Sequence, residues 1–223
     1  MIHTVIEPKL AQETAQALSD SINYVLTSKS TCNIALAGGR SAQAVFKELA
    51  WFEDLPWHCI HIFLVDDRLV PIDSDESNSK LVQDFLVKRI DSIPKENVHL
   101  FSGKKEDVSS YGEELRQHGK IDVVFVSAGE DGHIAGLYPN HHTIKDTDSH
   151  FYITYTDSPK PPKERMSASR NLISRATCGV LIFSGEAKRQ ALLDFKNPHK
   201  TVEESPCKLI LQLKQQHIIS DIK

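Results

Sequence analysis

Four apolar residues in a row, Val123-Val124-Phe125-Val126, lead through Ser127-Ala128 into Gly129-Glu130-Asp131-Gly132-His133. The unbroken apolar run suits a strand covered on both faces, which is the pattern of a parallel sheet. The glycines that end it permit backbone conformations closed to other residues and let the chain approach a ligand closely. Between and after them stand two carboxylates and an imidazole, the side chain that titrates nearest neutral pH. Open α/β sheets carry their chemistry at this place, the C-terminal end of a buried strand.

The same unit recurs along the chain. Leu10, Ala11, Ala15, Leu18, Ile22 and Val25 fall at helical spacing and predict a helix over 9–28. A strand over 33–37 is ended by Gly38-Gly39, and Ser41 can cap a helix whose stripe is Ala44, Val45 and Leu49. A strand over 60–65 ends in Asp66-Asp67-Arg68, and a helix over 78–90 turns Leu81, Val82, Phe85 and Leu86 inward. A short strand over 98–101 and a polar helix over 106–118 precede the central strand. Beyond it come a strand over 151–156, a rigid loop at Ser158-Pro159-Lys160-Pro161-Pro162 and a helix over 167–176. A strand over 180–183 and a helix over 186–195 follow, then a tail from 203 with a short helix and a last strand at 217–220. This alternation predicts a three-layer α/β/α fold with a mostly parallel, Rossmann-like sheet and helices on both faces. At 223 residues the expectation is one domain, 1–223, without a second independent core.

Composition removes several classes of function. A net charge of −4 carries no nucleic-acid footprint. No apolar run approaches the length of a membrane span, and the first residues lack the basic-then-apolar pattern of a signal peptide. Cys32, Cys59, Cys178 and Cys207 lie far apart with no C-x-x-C pair. This argues against both a zinc site and a disulfide framework and fits a reducing cytoplasm.

Five polar patches each follow a predicted strand: Gly38 to Ser41, Asp66 to Arg68, Gly129 to His133, Lys160 to Arg165, and Gly185 to Lys188. Parallel strands bring such ends to one edge, so the patches are expected to share a crevice. Gly38-Gly39-Arg40-Ser41 suits either a phosphate cradle at a helix N-terminus or a plain tight turn. It is no Walker motif. Arg40, Arg68 and Lys188 at neighbouring strand ends favour the phosphate, whose charge and shape they match. Asp66-Asp67-Arg68, taken without its neighbours, reads first as a surface ion pair; the functional reading makes Arg68 an anion ligand and Asp66 a catalytic or orienting carboxylate. His133 is the leading candidate base because of its position, since the chain holds 11 histidines. His141-His142 reads as a solvated loop pair, because the spacing supplies no third metal ligand.

With those residues in view, the chain resembles the 6-phosphogluconolactonases, a group that also contains glucosamine-6-phosphate isomerase/deaminase. Ala37-Gly38-Gly39-Arg40-Ser41 resembles the family's glycine-rich loop. Asp66-Asp67-Arg68-Leu69-Val70-Pro71, with Ser77-Asn78, resembles its D-E-R-x-V-P…S-N segment. Gly129 to Ala135 with Leu137-Tyr138-Pro139 resembles its G-x-D-G-H-T-A-S-L-F-P signature. Ser158 to Pro162 with Arg165 resembles S-P-K-P-P-x-x-R, and Gly185-Glu186-Ala187-Lys188 resembles G-x-x-K. Five motifs in order are far more specific than any one of them. Arg40 stands where a small hydroxyl residue is usual, Asp67 replaces a Glu, and Ser127-Ala128 and Gly136 also depart from the pattern.

The resemblance implies hydrolysis of 6-phospho-D-glucono-1,5-lactone, a small sugar-phosphate ester, in the oxidative pentose phosphate pathway without metal or cofactor. It implies His133 as general base, assisted by Asp131 or Asp66. It implies that Gly38, Gly39, Arg40, Ser41, Arg68, Lys160, Arg165 and Lys188 bind substrate. Two rivals stand beside it. An aminosugar-phosphate deaminase would carry a Glu shortly after the histidine motif, where Gly136 to Asn140 has none. An idle sugar-phosphate sensor would keep the cations and lose the base, which is present here.

Overall fold

Apolar segments of five or six residues form the centre of the molecule. The computed structural model describes residues 2–223. Its elements are β1 (Ile2–Thr4), α1 (Leu10–Leu26), β2 (Cys32–Leu36), α2 (Arg40–Leu49), β3 (Ile60–Leu64), β4 (Asp66–Arg68), α3 (Asn78–Phe85) and α4 (Val108–His118). There follow β5 (Val123–Ser127), α5 (His142–Lys145), β6 (Tyr152–Tyr155), β7 (Arg165–Ala168), α6 (Arg170–Ser174), β8 (Cys178–Phe183), α7 (Arg189–Lys196) and β9 (Gln215–Ser220). The main sheet runs β1-β9-β8-β5-β2-β3 and every pairing in it is parallel. Every residue of β2 and β8 is buried, as strands covered on both sides must be.

The two faces can be read from one strand. Cys178 of β8 contacts the Ser21 carbonyl of α1, whereas a Cβ at the next residue, Gly179, would meet Ile210 and Leu213. Alternating side chains thus point to α1 on one face and to the 3₁₀ helix Pro206–Gln212 on the other. Phe183, on the Gly179 side, stacks edge-on against Phe195 of α7. The structure is therefore three-layered. Each fully buried Leu, Ile, Val or Phe in this core contributes about 1.5–3 kcal/mol of transfer free energy.

A second, antiparallel sheet, β4-β7-β6, was not expected. The strand at 151–156 exists as β6 but belongs to this small sheet. Residues 165–168, partly assigned to a helix above, pair as β7 with β4: Asp66 faces Ser167 and Arg68 faces Arg165. The helix starts only at Arg170, because Ser169 accepts a hydrogen bond from Leu172 N and sets its N-cap. Two further expectations fail for local reasons. Residues 98–101 make a single bridge, Val98 to Ile62, before Phe101 N turns to Ser79 Oγ. Ser41 is not the cap of α2, since Gly39 holds that position.

Candidate active site

Three strand ends of the main sheet meet at one cleft. Gly38 to Ser41 follow β2, Gly129 to His133 follow β5, and Ser184 to Lys188 follow β8. Asp66 and Arg68 arrive on β4, directly after β3. The cleft has a volume of about 320 Å³ and a predominantly polar lining. Arg165 also lines it, but on β7 of the small sheet rather than at a main-sheet strand end. The expected fifth patch thus reaches the cleft by another route.

His133 sits on the cleft wall with its Nδ1 2.5 Å from Asp131 Oδ1. The carboxylate can only accept, so Nδ1–H donates and the neutral ring keeps Nε2 as its free base. Burial pushes the Asp131 carboxyl up, but the hydrogen bond and charge of His133 outweigh it and hold the group well below the usual carboxylate range. Gly129 makes this pair possible. A Cβ there would lie 2.0 Å from His133 Nδ1 and 2.7 Å from Asp131 Oδ1. The Tyr138 ring lies beside the imidazole, with centroids 4.7 Å apart.

Asp66 is buried, and its carboxylate has no hydrogen-bond partner among the described residues. Burial raises its pKa, against the opposing pull of Arg68, Arg165 and His133. Asp67 points the other way. Its oxygens accept from Asn78 N at 2.7 Å, Ser79 N at 3.0 Å and Arg68 N at 2.8 Å, which anchors the start of α3. Asn78, which the motif contains but the site assignment omitted, bridges the two arms. Its Nδ2 donates to the Asp66 carbonyl and its Oδ1 accepts from Arg68 Nη1. A Cβ at Gly38 would fall 1.9 Å from that Oδ1, so the glycine is needed for the side chain to reach the cleft.

Arg68 is fixed further by the Glu76 carbonyl at 2.6 Å, and its buried Nε has no partner among the described residues. Arg165 clamps the proline loop, donating from Nε to the Pro162 carbonyl and from Nη2 to that of Pro161. Ser158 ties the same loop to Tyr138 through a 3.0 Å hydroxyl contact. Lys160 and Asp131 are not part of the cleft wall. Lys160 still acts on the site electrostatically, helping to hold down the pKa values of Asp131 and Lys188. Burial is the main cause of the low Lys188 value, with Lys160 and Arg40 adding repulsion; Glu130, 3.9 Å away, and Asp131 oppose it. Arg40 and Ser41 open α2 onto the cleft, so the unpaired N–H groups of its first turn join these cations. Cations and free N–H groups thus face a hydrogen-bonded imidazole across the cleft, a lining whose charge suits an anion.

The His141-His142 pair does acquire a third group, since Asp157 lies 3.0 Å from His142 Nε2 and 3.5 Å from His141 Nε2. Separation in sequence hid that contact.

The profile of the family described as "Glucosamine-6-phosphate isomerases/6-phosphogluconolactonase" matches residues 7–219. The chain belongs to that family. The 6-phosphogluconolactonase of Borreliella burgdorferi is 29% identical over 212 residues, covering 92% of this chain and 89% of that one. The GDH/6PGL endoplasmic bifunctional protein of Oryctolagus cuniculus is 31% identical over 198 residues, 83% of this chain. This chain spans only 24% of that relative's length. Among solved structures, the 6-phosphogluconolactonase of Thermotoga maritima superposes with a TM-score of 0.86 at 23% identity, covering 99% of this chain and 98% of that one. That likeness establishes the fold alone.

Proposed function

We propose that the protein is a 6-phosphogluconolactonase that hydrolyses 6-phospho-D-glucono-1,5-lactone to 6-phosphogluconate in the oxidative pentose phosphate pathway. The observation that carries this reading is His133 on the wall of a cationic cleft, with Asp131 behind it at 2.5 Å from its Nδ1. The names of the family relatives, and the proline loop clamped by Arg165, favour the lactonase over the deaminase within the family.

In this reading the phosphate lies against the first turn of α2 with Arg40, Arg68 and Lys188, and Arg165 holds the loop that closes one side. Anchoring that distant group helps to position the ester carbonyl. His133 Nε2 takes a proton from water as its oxygen bonds to the carbonyl carbon. Negative charge then develops on the carbonyl oxygen, within reach of backbone N–H groups at the glycine turns. Collapse breaks the bond to the ring oxygen, and the imidazolium returns its proton to that leaving oxygen. Asp131 stabilises the imidazolium between the two steps. Asp66, with free acceptor oxygens, receives sugar hydroxyls. We read residues 1–223 as one domain acting in the cytoplasm; no helix among the described residues is long and apolar enough to cross a membrane.

The test is a lactonase assay coupled to 6-phosphogluconate dehydrogenase and corrected for spontaneous ring opening. His133→Ala should lower kcat by roughly 10²–10⁴-fold, and Arg68→Ala should mainly raise KM. An unchanged kcat in the histidine variant refutes the base. Equal turnover of phosphate-free gluconolactone refutes the anion site. Ammonia release from glucosamine 6-phosphate would assign the chain to the other branch of its family.

A further inference from the structure

Three imidazoles gather away from the cleft. His61 lies on β3, the edge strand of the main sheet, five residues and roughly 16 Å of extended chain before Asp66. His99 lies alongside it, its N–H donating to the Ile62 carbonyl at 2.9 Å. His118 is the last residue of α4. Each offers one ring nitrogen, and the three nitrogens fall within 4.8 Å of one another. His61 Nδ1 and His99 Nε2 are 3.0 Å apart. Two imidazole nitrogens on one tetrahedral zinc, at about 2.0–2.1 Å each, stand about 3.3 Å apart, so the His61–His99 pair already has ligand spacing and His118 must move in to complete the set.

We propose that His61, His99 and His118 form a binding site for a borderline divalent metal of the Zn²⁺ class, at the opposite end of the sheet edge from the cleft.

Two features go beyond proximity. His99 Nδ1 lies 2.6 Å from Glu114 Oε1, so Nδ1–H donates to the carboxylate and Nε2 is left as a lone-pair ligand facing the other rings. A carboxylate behind a ligating imidazole fixes its tautomer and raises its basicity, the usual support of a histidine–metal bond. The His99 ring is also held flat against Phe63, at 4.2 Å and 6°. Without metal, the His61 Nδ1 proton bridges to His99 Nε2. With metal, that proton moves to His61 Nε2, the cation takes its place, and no net proton is released. Three protein ligands leave a fourth position for water. The consequence is structural: the metal would join β3, the segment at His99 and the end of α4.

The full-length chain is titrated with Zn²⁺ by calorimetry and with Co²⁺ by visible absorption, the latter reporting tetrahedral geometry. One equivalent should bind with a dissociation constant on the order of micromolar or tighter and raise the melting temperature. His118→Gln, at a helix end where folding is not at risk, should weaken binding at least tenfold. Glu114→Gln should weaken it by about 10–100-fold. Lactone hydrolysis should be the same with metal or with chelator, so a failed lactonase assay and a failed metal titration are separate results. The His141-His142-Asp157 group supplies the control, His142→Gln, which should bind as the wild type does. Absence of binding overturns the site, as does binding that survives His118→Gln unchanged or disappears in His142→Gln.

Discussion

At the scale of single residues, two carboxylates beside His133 and the cleft cations stand in opposite situations. Asp131 is matched with a hydrogen-bond donor and His133 depresses its pKa, whereas Asp66 is buried beside cations without a hydrogen bond and its pKa is raised. A carboxyl whose pKa rises on folding binds its proton more readily in the folded chain. Its contribution to stability therefore grows as pH falls from the raised value towards the ordinary 3.8, and it is a cost above that window. Asp66→Asn removes this cost. Its melting temperature at pH 7.5 should exceed that of the wild type, and the advantage should shrink as pH is lowered through the window. Lactonase activity should fall in the same variant. Differential scanning calorimetry across pH checks the point, and a lower melting temperature at pH 7.5 would show that Arg68 and Arg165 outweigh the burial of the carboxylate.

At the scale of elements, Asp67 does for α3 what Asp131 does for His133. Three backbone N–H groups converge on its buried carboxylate, and two of them belong to the first turn of the helix. Asp67→Ala should cost about 1–3 kcal/mol, since those donors lose their acceptor inside the protein. It should also raise KM, because Asn78 and Arg68 are positioned by the same turn. A urea melt with an unchanged midpoint would contradict this. The structure also explains what could be read without coordinates. The central strands β2, β3, β5 and β8 were legible because doubly covered strands are largely apolar and glycine or aspartate soon follows each one; the edge strand β1, Ile2-His3-Thr4, has no such run and was not read. The small sheet was not legible either. β4 is Asp66-Asp67-Arg68, with no apolar signature, and β7 is Arg165-Met166-Ser167-Ala168, which has no strand periodicity. Both are held by partners distant in sequence. For the same reason Arg165 reaches the cleft by a path other than the expected one, and Asn78 was left out: its place depends on the space that Gly38 leaves open.

At the scale of the whole molecule, sign and location of charge disagree. The chain carries a net charge of −4, which would repel the proposed phosphorylated substrate at long range. Arg40, Arg68, Arg165 and Lys188 nevertheless line the cleft, with Lys160 close enough to act on Lys188, against the acids Asp66 and Glu130 in the same wall. Low-dielectric walls focus the field of such a group into the opening, so an approaching dianion meets a local attraction larger than the net repulsion. Salt separates the two contributions. If net charge governed encounter, screening would raise kcat/KM. If the cleft governs it, kcat/KM should fall several-fold between about 10 mM and about 1 M NaCl, where the Debye length shrinks from about 30 Å to about 3 Å. The decrease should be weaker in Lys188→Ala, while hydrolysis of phosphate-free gluconolactone should depend little on salt in either protein. A rise of kcat/KM with salt for the phosphorylated lactone would mean that the cations act only after contact, as ligands, and play no part in drawing the substrate in.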